Sequence, residues 1–84
     1  MSAREELKEA LIFIISNIVE GDNFSVDSQM EENKIMLSVR AEKSELGKII
    51  GRGGETATNI RKVLRAMGKK RGVFIRFTID NKPM

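Results

Sequence analysis

Gly47-Lys48-Ile49-Ile50-Gly51-Arg52-Gly53-Gly54 closes with three glycines in four positions and joins two segments of helical pattern. Upstream, Lys43 to Ile50 reads as a short helix with Ser44 as its cap. Downstream, Glu55 to Lys69 reads as a longer helix whose inward side is Ala57, Ile60, Val63, Leu64 and Met67. Glycines let a backbone take positive φ, and they remove the side chains that hold a ligand off. The second helix aims its N-terminus at the same spot, where unpaired N–H groups and the helix dipole favour an anion. Lys48 and Arg52 bring positive charge to the loop, and Arg61 and Arg65 extend it along the second helix. These parts suit a phosphate backbone. A helix–turn–helix corner built for geometry alone needs one glycine, or two, so the third glycine and the arginine among them weigh against it. Other phosphate loops fit less well. There is no Gly-Lys-Ser/Thr ending of a P-loop and no spaced third glycine with a distal acid, and both of those loops follow a strand.

Outward from this segment the pattern changes on both sides. Residues 3–20 read as a helix: Ser2 with Glu5 three positions later forms a capping box, and Gly21 marks the stop. Leu7, Ala10, Leu11, Ile14, Ile15 and Ile18 make its apolar stripe. Ile12, Phe13 and Val19 lie off that stripe, either buried on a second side or offered to a partner. Residues 24–40 read as a hairpin, with Phe24, Val26, Ser28 and Met30 alternating in one strand and Ile35, Leu37 and Val39 in the next. Glu31 to Lys34 supplies its polar turn. After the second helix, Gly68 and Gly72 flank a basic turn, and residues 73–79 alternate as a third strand. Pro83 closes the chain in a frayed tail. The order helix, strand, strand, helix, helix, strand predicts a single α+β domain over residues 1–84, its helices on one face of the sheet. The third strand, beyond two helices, can join in parallel through a crossover.

Composition narrows the chemistry. The chain has no Cys and no His, which removes thiolate nucleophiles, imidazole bases and the usual zinc ligands. No nucleophile–base pair is visible, so neither an enzyme nor a metal or cofactor is expected. The longest apolar run, Ala10 to Ile15, is far below the roughly 20 residues that span a bilayer. Acidic Glu5, Glu6 and Glu9 precede it where a signal peptide would carry positive charge, so a cytoplasmic protein is expected. Residues 1–39 hold three basic and eight acidic side chains, whereas residues 40–76 hold eleven basic and three acidic. That asymmetry predicts one face that attracts polyanions. The cluster Lys69-Lys70-Arg71 reads first as a solvated turn and second as an extra anchor for a longer nucleic acid.

Ile49-Ile50-Gly51-Arg52-Gly53-Gly54, followed by Ala57, Ile60 and Arg61, resembles the I-I-G-x-x-G signature of KH domains. The element order αββααβ resembles the type II, prokaryotic-style KH fold, with its three-stranded mixed sheet, and nearly the whole chain is covered. The protein therefore resembles the small stand-alone bacterial KH proteins of the KhpA family. The resemblance implies a loop that clamps the backbone of about four unpaired RNA nucleotides, with their bases in an aliphatic groove. Gly51 and Gly54 match the paired glycines of the motif, with Arg52 and Gly53 between them. Gly47, Lys48 and Ile50 match groove positions on the first helix of the motif, and Ala57 and Arg61 match groove positions on the second. Ala57 stands where a larger aliphatic residue is common, which makes the groove floor shallower. The opposite wall is expected from the second strand, through part of Ser38-Val39-Arg40. With no Trp or Tyr, and with the four Phe read as core or interface, aromatic stacking on bases is not expected. The family resemblance also implies an RNA adaptor or chaperone acting as a dimer or beside a second KH-containing protein, with Ile12, Phe13 and Val19 as the contact. The competing reading is a KH-fold protein-interaction module with little RNA binding of its own.

Overall fold

The computed structural model describes residues 2–80; Pro83 and the chain's last residue lie outside them. The elements are α1 (Ala3–Ser16), β1 (Phe24–Glu31), β2 (Lys34–Ala41), α2 (Lys43–Ile50), a 3-10 turn (Arg52–Gly54), α3 (Glu55–Lys70) and β3 (Phe74–Ile79). This is the αββααβ order of a KH domain. The sheet runs β1-β2-β3, with β1 antiparallel and β3 parallel to the central strand. Register places Val26 opposite Val39 and Leu37 opposite Phe77.

Alternation decides which side of the sheet the helices cover. Ile35, Leu37, Val39 and Ala41 are buried on one face of β2, while Met36, Ser38 and Arg40 face the other way. Leu7, Leu11 and Ile15 of α1, Ile49 of α2 and Leu64 of α3 close over the buried face. No polar or charged residue among those described is buried. Each fully buried aliphatic side chain contributes about 1.5–3 kcal/mol relative to exposure, so this core carries the fold.

Several local expectations change once the helices are packed. Ser2 caps α1 as expected, accepting from the Glu5 N–H at 3.2 Å, but the Glu5 carboxylate accepts from the Ser2 hydroxyl at 3.0 Å rather than from a backbone N–H. α1 stops at Ser16, four residues short of residue 20. There the Ser16 hydroxyl and the Asn17 amide both donate to the Phe13 carbonyl at 2.7 Å, and the Ile18 and Val19 N–H groups fold back onto the Ile15 carbonyl. The tightened turn drops Val19 into the core, where it is 8% exposed. Val19 is therefore not available to a partner. Ser44 does not cap α2. Glu42 holds that position and its carboxylate accepts from the Asn23 amide, while Glu45 accepts from the Glu20 N–H. On α3 the buried stripe is Ala57, Ile60, Leu64 and Gly68, which leaves Val63 49% exposed. Gly68 belongs to the core because a Cβ there would lie 2.5 Å from Ile75 Cγ1 and 3.0 Å from the Val73 carbonyl oxygen.

Candidate nucleic-acid interface

α2 ends where the Gly51 N–H bonds the Gly47 carbonyl at 2.8 Å. Gly51 then takes φ 78°, ψ 171°, which an L side chain rarely adopts, and any Cβ would overlap Thr56, whose backbone N would lie 2.7 Å away. No other residue fits at Gly51. The turn closes through the Gly54 N–H to the Gly51 carbonyl at 3.1 Å. Gly53 and Gly54 are left-handed, at φ 63° and 80°, and a Cβ on either would meet nothing within 4 Å. Their outer side is bare. Gly54 is also the N-cap of α3, and no side chain caps that helix start. The first-turn N–H groups of a helix have no partner further back in the helix itself, and the dipole adds partial positive charge at the same end.

The structure sorts the side chains expected here into two groups. Gly47, Lys48, Ile50, Arg52 and Gly53 are exposed, with Gly51 and Gly54 half-buried among them. The Arg52 side chain has no hydrogen bond or ion pair among the described residues, while its carbonyl accepts from the Glu55 N–H. Lys48 leans back to Glu45 at 3.1 Å on the same helix. Ala57 is 7% exposed, so it underlies the loop and offers little floor of its own. Arg61 is half-buried, with its guanidinium 3.5 Å from the Phe77 carbonyl and 5.8 Å from the Phe77 ring centroid. Its position is thereby fixed beside the sheet edge. Arg65 is exposed one turn further along α3.

The second strand does not supply the expected wall. The Val39 side chain is 1% exposed inside the core, and Ser38 and Arg40 lie on the sheet face turned away from the helices. Arg40 is bonded there to Asp80 at 3.2 Å. Two-residue alternation sends the neighbours of an inward residue outward, so none of this trio has a side chain exposed on the helix-covered face. Two contributors to the loop's surroundings escaped the sequence reading. Thr56 packs under Gly51, and Phe77 seats Arg61 from 16 residues away. The Gly51–Thr56 approach leaves only the glycine as a signal, and the Phe77 contact leaves none.

The family model for the KH domain of KhpA and KhpB matches residues 8–79. The chain belongs to the KhpA/KhpB KH-domain family. Relatives of this KH domain include the RNA-binding protein KhpA of Streptomyces coelicolor, 41% identical over 63 residues that cover 74% of this chain and 80% of that one. The RNA-binding protein KhpA of Bacillus subtilis is 30% identical over 76 residues, covering 89% and 94%. That of Aquifex aeolicus is 31% identical over 67 residues, covering 79% and 85%. No solved structure matches the chain. The family is a non-enzymatic one, and the chain is not an enzyme. Among the described residues no helix is long and apolar enough to cross a membrane.

Proposed function

We propose that this KH domain binds single-stranded RNA, resting the backbone of about four unpaired nucleotides on the Gly51–Gly54 loop. One observation carries the reading: Gly53 and Gly54, both at positive φ, leave a bare surface against a helix start with no side-chain cap, and the Arg52 side chain beside it has no partner among the described residues. Glycine's conformational cost in the unfolded chain makes such a cluster expensive unless something uses the bare surface. The names of the relatives, RNA-binding proteins all, point the same way. Gly47, Lys48 and Ile50 flank the contact on α2, with Ala57 and Arg61 on α3. Bases are read by edge and van der Waals contacts, because no exposed aromatic ring adjoins the loop. Binding of this kind is weak and salt-sensitive, with modest sequence preference.

The domain acts, on this reading, as a cytoplasmic post-transcriptional adaptor or RNA chaperone, singly weak and strengthened by pairing with a second copy or a second KH-containing protein. Ile12 and Phe13, 37% and 70% exposed on α1, are the surface for that pairing. The same exposed pair favours the second reading, a protein-interaction module with little RNA affinity. Replacing Arg52 and Gly53 together by Asp separates the two. Gly53 has open space around it, and Asp tolerates left-handed backbone better than most residues, so the fold should survive. RNA affinity should fall at least about tenfold, the equivalent of one charge-assisted hydrogen bond. Undiminished RNA capture by the doubly acidic loop would leave the interaction-module reading in place and remove the first.

A further inference from the structure

The cations of the basic half are not equally engaged. Arg40 is held by Asp80, Lys48 by Glu45, Arg71 by Glu6, and Arg61 by the Phe77 carbonyl. Lys62, Arg65 and Lys69 are exposed, and among the described residues none of them has an ion pair or a side-chain hydrogen bond. All three sit on α3. Arg61, Arg65 and Lys69 are spaced by four, and Lys62 lies three before Arg65, so they share one flank of the helix. The row begins about 10 Å along α3 from Gly54 and extends about 12 Å further, from Arg61 to Lys69, at 1.5 Å per residue. Glu55, in the first turn, is the one acid of α3, and no carboxylate interrupts the row. Like charges four apart weaken a helix by a few tenths of a kcal/mol each, so the row does nothing for the fold itself.

We propose that an RNA strand seated on the glycine loop continues along this flank of α3, with Lys62, Arg65 and Lys69 contacting phosphates beyond the clamped nucleotides. The proposal rests on the RNA reading of the loop and extends its footprint. The row has no aromatic residue and no acid acceptor, so it reads charge and not sequence. It adds affinity that vanishes with salt. It also divides the basic turn that follows: Lys69 belongs to the row, Lys70 lies a hundred-degree helix step away from it, and Arg71 is spent on Glu6 and the Met67 carbonyl.

The test compares two single-stranded oligonucleotides, one of about four nucleotides and one about three times as long. Each is titrated against the full chain and against a triple variant, Lys62→Gln, Arg65→Gln and Lys69→Gln. The longer strand should lose roughly tenfold in affinity, and its log–log salt slope should shrink by about 2, near 0.7 for each of three lost phosphate contacts. The short strand should bind as before, which also reports that the variant is folded. Equal binding of the longer strand by both proteins overturns the proposal, as it would if the row served an acidic protein instead. A loss common to both lengths overturns it too. Gly53→Asp serves as the control. If Gly53→Asp removes both strands while the triple variant changes neither, only the row fails. If Gly53→Asp leaves both bound, the loop reading fails and the extension falls with it.

Discussion

α1 and α3 cover the same face of one sheet and bury the same kind of stripe, yet they present opposite chemistry to solvent. Leu7, Leu11 and Ile15 of α1 match Ala57, Ile60 and Leu64 of α3 in their burial. Outward, α1 carries Glu5, Glu9 and the exposed Phe13, while α3 carries Lys62, Arg65 and Lys69. Their beginnings differ as well: Ser2 closes the start of α1 with its own hydroxyl, whereas Gly54 leaves the start of α3 uncapped. A helix that only has to stand can satisfy its own N–H groups. The start of α3 has no such side-chain cap, which forgoes about 1 kcal/mol of capping, and the Glu55 N–H there turns back onto the Arg52 carbonyl. The inward faces make the fold, and the outward faces and helix starts separate scaffold from site.

The strongest way to break this parallel is to cut each core stripe at its centre. Leu11→Ala and Leu64→Ala remove side chains that are both 0% exposed, and each should cost about 2–5 kcal/mol. Urea midpoints would measure this, and a tolerated Leu11→Ala would mean that α1 is an ornament on a smaller domain. Next comes the point where α3 touches the sheet most closely. Gly68→Ala forces a methyl against Ile75 and the Val73 carbonyl, so it should destabilise by about 1–3 kcal/mol. That loss runs against the gain of up to about 1 kcal/mol that alanine normally brings to a helix, so stabilisation would show that Ile75 yields to the methyl.

Smaller effects sharpen the difference at the helix starts. Ser2→Ala should lower stability by about 1 kcal/mol and leave RNA affinity unchanged, since the cap serves α1 alone. A fall in RNA affinity measured on the folded protein would erase the distinction between the two ends. The weakest expected effect concerns the bridge between the two helices, where the Arg71 guanidinium meets the Glu6 carboxylate at 2.7 Å. The hydrogen bond from Arg71, and then its charge, hold the Glu6 carboxyl below its ordinary value of 4.5. A depressed acid stabilises the fold fully above that ordinary value and stops doing so as pH falls through the lowered one. Glu6→Gln should therefore cost a small amount of stability at neutral pH, because exposed pairs are screened, and flatten the acid limb of the stability curve below pH 4.5 by that same amount. An unchanged acid limb would detach Glu6 from α3.

Much of this was legible along the chain. The αββααβ order, the bounds of α2 and the glycine loop, and the likeness to KH domains all come from short-range signals: apolar spacing, turn residues and a six-residue motif. Local periodicity reports such features because neighbours in sequence are neighbours in a helix or strand. It overran at the end of α1, where two side chains capping the Phe13 carbonyl stopped the helix that Gly21 was expected to stop.

What only the tertiary structure decided is which residues are free. Val19 and Val39 look like surface candidates until packing buries them at 8% and 1% exposure, and Val63 looks inward until Gly68 takes the contact with the sheet. Arg71 and Lys69 are alike in sequence, two positions apart in one basic cluster. A glutamate 65 residues away neutralises the first and leaves the second to solvent. The sequence by itself determined where the loop and its charges are, because those are properties of single residues and their neighbours. Their availability is a property of pairs brought together by the fold, and no local pattern records it.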